Sequence, residues 1–150
     1  MSRVIWCSLV VLSLLALTGL RPSGTSADDT PVKLVKEWKA KFSNEQDEPL
    51  MKEAPKSGYI TSEKAWAKLW KAWRDKEKLP KIDFEKQVVF VAVVSGRGNN
   101  IKMEFSLSEK GDLDDGFMST TIDSPGFSYM IAVIDRANIK TYRGKAFEKE

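Results

Sequence analysis

The stretch Thr61-Ser-Glu-Lys-Ala-Trp66-Ala-Lys-Leu69-Trp70-Lys-Ala-Trp73-Arg74-Asp75, followed beyond a proline break by Val88-Val-Phe-Val-Ala-Val-Val94, decides the fold class. In the first run Trp66, Leu69, Trp70 and Trp73 recur at i, i+3, i+4 and i+7, which is one apolar stripe of a helix. Lys64, Lys68, Lys71 and Arg74 face elsewhere. The spacing predicts a helix over Ser62 to Asp75 with Thr61 as N-cap, Glu63 in the first turn and Leu79-Pro80 as the stop. The second run is unbroken apolar and too short for a helix of that kind, so it is expected to be a central strand covered on both faces.

Beyond Val94 the pattern reads as an antiparallel meander. Gly96 to Asn100 is expected to turn the chain. Ile101, Met103, Phe105 and Leu107 then alternate with Lys102, Glu104, Ser106 and Ser108, as in a strand buried on one face. Glu109 to Gly116 is read as a turn, Phe117 to Ile122 as a strand, Asp123-Ser-Pro-Gly126 as a tight turn and Phe127 to Ile134 as a strand. A short strand is placed near Asn138 to Tyr142. Upstream of the helix, Tyr59 and Ile60 begin a short strand, and Ser43 to Gly58 is a long polar excursion with two prolines. Leu34 to Phe42 alternates as a half-buried strand, and Asp28 to Pro31 is read as a loose terminus. The order of strand, helix and several strands predicts one α+β domain: a curved antiparallel sheet of about four to six strands with the Trp-rich helix on one face. Three tryptophans on one stripe also suit a sugar-stacking platform, but at helical spacing they are read as core.

The first residues set the expected compartment. Arg3 precedes the uncharged apolar run Val4 to Leu20, and the segment Arg21 to Ala27 is small and turn-forming, the layout of a secretory signal cut after Ala27. A retained membrane anchor is the alternative. Cleavage leaves residues 28–150, a chain of ordinary domain size destined for the periplasm or the exterior. Arg3 and Arg21 are the only charges removed, so the formal net charge falls from +3 to +1. Lysines alternate with acids instead of forming a one-sided basic patch, which argues against a nucleic-acid partner.

Removal of that segment also removes Cys7, and the chain has no histidine. Thiol nucleophiles, disulfides, His-assisted triads and His- or Cys-ligated metal sites are thereby excluded. No cofactor, metal or catalytic residue is expected. Gly96-Arg97-Gly98 is a fragment of a phosphate loop, but with no helix after it. Asp112, Asp114, Asp115 and Gly116 have the wrong spacing for a calcium loop. Ser119, Thr120 and Thr121 lie in a strand without a histidine, and no pair of carboxylates is singled out for hydrolysis.

The run Gly58-Tyr-Ile-Thr-Ser-Glu-Lys-Ala-Trp66-Ala-Lys-Leu-Trp70, then Leu79-Pro80-Lys-Ile-Asp83-Phe84 and the Val88 to Gly96 strand, resembles the C-terminal domain of the PrcB family. These are envelope proteins named for a subunit of a surface protease complex. The resemblance covers roughly Tyr59 to Ile134. It implies a subunit associated with assembly or stability of a protease, with no assigned chemistry. The chain departs from the family after Gly96, where a Thr-Gly-Gly-Tyr-like loop is common and Arg97-Gly-Asn-Asn stands here.

In a meander the first and third turns share one end of the sheet, about 10 Å apart. Arg97, Asn99, Asn100, Ser124 and Phe127 would then form a recognition tip, loops on a rigid sheet being common binding sites. The expected function is an exported, non-enzymatic protein-binding module that assists or regulates an envelope protein, a protease among the candidates. The alternative is a carbohydrate or cell-wall binder, which needs Trp38, Trp66, Trp70 or Trp73 accessible.

Overall fold

The computed structural model of the chain describes residues 29–148. Residues 1–28, with the expected export signal, lie outside the described residues, as do the side chains at positions 97 to 99 and 121. The elements are β1 (Thr30–Val32), β2 (Lys36–Phe42), a 3-10 segment (Glu45–Glu53), β3 (Tyr59–Ile60), α1 (Glu63–Arg74), β4 (Gln87–Leu107), β5 (Asp112–Asp135) and β6 (Thr141–Tyr142). The strands form one six-stranded sheet in the order β1-β4-β5-β2, with β3 also on β4 and β6 also on β5. Every pairing is antiparallel except that of β5 with β6. The fold class is the expected one, α+β with a Trp-bearing helix on a sheet face.

Helix α1 starts one residue later than its hydroxyls suggest. The Ser62 hydroxyl, not that of Thr61, accepts the Ala65 N–H at 3.2 Å, and Thr61 Oγ1 donates to the Glu148 carbonyl instead. Trp66, Leu69, Trp70 and Trp73 are buried. Each indole N–H finds a carbonyl in an irregular segment: Trp66 donates to Pro80 at 3.0 Å, Trp70 to Glu77 at 3.2 Å and Trp73 to Leu50 at 2.9 Å. The stripe is therefore core and its polar tips are satisfied. Arg74 departs from the expected outward face. Its guanidinium lies 5.1 Å from the centre of the Trp70 ring, donates to the Tyr129 hydroxyl at 3.0 Å and pairs with Glu77. Burial holds the Tyr129 phenol above its ordinary pKa, so it stays neutral and accepts that bond.

The sheet is not a meander. Val89, Val91, Phe127, Tyr129, Ile131 and Val133 pack with α1 in a first core. Val88, Phe90, Met130, Ala132 and Ile134 pack in a second core with Ile101, Met103, Phe105 and Leu113. Alternate residues of the Val88 to Val94 run thus enter different cores, as a strand covered on both faces must. Because β4 supplies both walls of the second core, the long β4–β5 hairpin is folded over on itself, giving a layer of helix and two layers of strand.

The fold-over explains why two expected turns are absent. Gly96 to Asn100 and Asp123 to Gly126 are bulges within continuous strands: Ser95 pairs with Phe127 and Arg97 with Ile122, so residues 123–126 stand opposite Gly96 alone. A second shift lies between Asn99 and Lys102, where Asn100 has φ 56°. The bend needs glycine: a Cβ on Gly126 (φ +91°) would sit 2.1 Å from the Phe42 carbonyl oxygen, and one on Gly96 (φ +78°) 2.6 Å from that of Ile122. The reverse turn is at Ser108 to Gly111, shorter than the expected Glu109 to Gly116, with the Gly111 N–H donating to the Ser108 carbonyl at 2.9 Å.

The N-terminal strand expected over Leu34 to Phe42 is divided for the same reason. Val32 and Leu34 pack on the second core, while Trp38 and Phe42 pack on the first. The chain changes layer between β1 and β2, and the terminus read as loose contains β1, paired with β4. The polar excursion is ordered around the 3-10 segment, whose Leu50 packs on the first core.

Candidate protein-recognition surface

At the bend Asp123–Gly126 bulges opposite Gly96, while Arg97 to Asn99 pair with Ile122 to Thr120, so the two expected turns meet within one ladder and not across two strand spacings. Asn100 is exposed, and Ser124 is half-buried with its hydroxyl donating to the Ile122 carbonyl at 3.2 Å. Arg97 and Asn99 have their backbones in β4, opposite Ile122 and Thr120, and their side chains lie outside the described ones. Phe127 is a correction. It pairs with Ser95 on one side and Phe42 on the other, its ring lies 4.7 Å from that of Phe42 and 5.7 Å from that of Trp73, and it is wholly buried. A residue at the centre of the first core presents nothing at a tip.

What the bend does present is apolar. Phe117, Met118 and Ile122 of β5 are 42%, 55% and 53% exposed, three of the six exposed large hydrophobics among the described residues. Met118 pairs with Lys102 and Ile122 with Arg97, so Met118 and Ile122 lie on one face of the ribbon and Phe117, paired with Met103, on the other. The β-branched and aromatic residues of Phe117 to Ile122 suit a strand without saying whether its faces are covered. Here the ribbon runs past the end of β6, which meets β5 at Asp112 and Leu113. Large apolar residues gathered on one exposed strand mark an interaction surface more often than scattered ones do.

The candidate chemical sites resolve into structure. Gly96-Arg97-Gly98 lies inside a strand, with no helix start after it to hold an anion. The three aspartates are held by the segment that follows β5. Asp112 accepts from Thr141 Oγ1 and from the Gly144 N–H at 2.9 Å, Asp115 accepts from the Tyr142 hydroxyl at 2.6 Å, and Arg143 pairs with Asp114 and Asp115 at 3.2 and 2.9 Å. Burial, then the carboxylate of Asp115, raises the Tyr142 phenol far above its ordinary pKa. Ser119, Thr120 and Thr121 belong to β5. Among the described residues no group of three or more Asp, Glu, His or Cys is placed to hold a metal ion, and no helix is long and apolar enough to cross a membrane.

Comparison of the chain with family models, with curated proteins and with solved structures gave no match. The surface must therefore be judged on its own chemistry.

Proposed function

We propose that the protein is an extracytoplasmic, non-enzymatic protein-binding module that assists or regulates an envelope protein, and that it binds through the strand Phe117 to Ile122. The observation that carries the reading is the exposure of Phe117, Met118 and Ile122 beside the bend. Supporting it are a chain without histidine, whose one cysteine is Cys7, and an N-terminus with the layout of an export signal. The resemblance of Tyr59 to Ile134 to the PrcB family makes a protease the first partner to test. A glycan platform is not proposed, because Trp66, Trp70 and Trp73 are buried and Trp38 packs against two of them, with ring centroids at 5.8 and 5.2 Å.

The test is a photo-crosslinking amino acid at position 118, with a control at Val35, which is exposed at 42% and bonds through its N–H to the Val133 carbonyl, on the other side of the bend from Met118. Irradiation of cells followed by mass spectrometry is expected to give a discrete protein adduct from position 118 alone. Adducts absent from 118, or equal at both positions, would overturn the reading.

A further inference from the structure

Strand β2 ends the sheet, so one side of its backbone is paired with β5 and the other is open among the described residues. Lys39 and Lys41 alternate along it and point to the same face, roughly 7 Å apart. They line a cleft of about 390 Å³ that lies over the β2–β5 face next to this edge, with Ser128 and Tyr129 of β5 on its floor and Asn100 to Lys102 of the bend on its far side. Among the described residues no acidic one lines this cleft. Among the described ion pairs Lys41 and Lys102 have none, and Lys39 has only its own neighbour Glu37 at 3.4 Å, both side chains being well exposed. Such an exposed pair contributes little and leaves Lys39 available to a better partner.

We infer that the open edge of β2 and the cleft beside it receive an extended acidic segment of the partner protein, its carboxylates on alternate residues facing Lys39 and Lys41 with Lys102 opposite. The inference rests on the protein-binding reading above and specifies the partner's chemistry. An open strand edge supplies backbone donors and acceptors at the repeat of another extended chain, which a peptide matches and a polysaccharide or a small anion does not. A second copy of this chain is disfavoured, since it would set lysine-bearing edges side by side. The acidic segment also lies within reach of the apolar strip: Lys102 and Met118 are register partners and leave the same face of the ribbon.

The test titrates the isotopically labelled protein with a capped octapeptide of alternating glutamate and threonine, with a peptide of the same composition in two blocks, and with inorganic phosphate. The alternating peptide is expected to bind best, to move the amide signals of Lys39 to Lys41 and of Lys102, and to weaken as salt rises. Lys41→Gln with Lys102→Gln should weaken it at least about tenfold while leaving the denaturation midpoint unchanged. Amides of β2 that stay unmoved, equal binding of phosphate and both peptides, or unchanged affinity in the folded double variant would each overturn the inference. Any of these leaves the position-118 adduct, and the reading it tests, intact. Conversely, peptide binding at β2 without an adduct at 118 would overturn the apolar strip and retain the acidic-segment site.

Discussion

Phe90 and Phe105 belong to the same strand, yet their ring centroids are 4.7 Å apart. A straight strand would separate them by roughly 50 Å. Their contact is the direct mark of the folded hairpin, and it sets the first expectation. Phe105→Ala should cost about 3 to 5 kcal/mol, the scale for a buried aromatic, because it removes the ring that joins the two strand layers. Chemical denaturation of the variant checks this, and a loss under about 1 kcal/mol would mean that the distal ribbon is not packed as described.

Trp66→Ala should be as costly, about 3 to 5 kcal/mol. Its ring is 1% exposed, and its N–H anchors the Pro80 segment that follows α1. Trp66→Phe, which keeps most of the volume and loses the donor, should cost less than the alanine variant. Equal losses in the two would assign the whole effect to the hydrogen bond.

Tyr142→Phe should cost about 1.5 to 3 kcal/mol, the range for a hydrogen bond to a charged group, since its hydroxyl donates to Asp115. The phenol is held protonated in the folded protein well above the pH at which an unfolded tyrosine ionises, near 10. Its contribution is therefore complete below about pH 10 and is lost as pH rises beyond it, where the unfolded chain releases the proton first. Denaturation midpoints measured from pH 8 to 11 should fall more steeply for the parent than for the variant. Parallel curves would remove Tyr142 as the cause.

Gly126→Ala should destabilise by more than about 1 kcal/mol, because the residue has φ +91° and its new Cβ would overlap the Phe42 carbonyl. Gly58 has a similar φ of +79°, and a methyl group added there would meet nothing within 4 Å, so Gly58→Ala isolates the cost of the dihedral from the cost of the overlap. A Gly126 variant no less stable than the Gly58 variant would deny the close approach at the bend.

Met118→Ser with Ile122→Ser should change stability by no more than about 0.5 kcal/mol, as exposed substitutions usually do, while abolishing capture of whatever protein crosslinks at 118. A folded double variant that retains full capture would move the binding surface elsewhere.

The parts legible in the sequence are those in which periodicity has one physical reading. The stripe from Trp66 to Trp73 could only be an amphipathic helix, and Val88 to Val94 could only be a strand covered on both sides. Gly96-Arg-Gly-Asn-Asn and Asp-Ser-Pro-Gly126 are not legible in the same way. The left-handed dihedrals of Gly96, Asn100 and Gly126 serve a bulge as well as a reverse turn, and composition does not separate them. That one ambiguity displaces Phe127 from the core to a tip, and it turns a folded hairpin into a meander. β1 escapes notice because three residues including Pro31 carry no period, and the exposed strip escapes because an apolar strand looks the same covered or bare.

The glycines at the bend have a second consequence, for alignment. In most half-buried strands a one-residue slip is forbidden because it turns polar groups inward. The run Val88 to Val94 has no polar face, so sliding it against Phe127 to Ile134 would exchange one apolar set for another and meet little polarity penalty. Gly96 and Gly126 supply the missing constraint. Gly96 does so for β4 against β5, since its close contact is with Ile122, and Gly126 for β5 against β2, since its close contact is with Phe42; each alignment puts the contact at a residue without a Cβ, so the two positions are phase markers for successive strands.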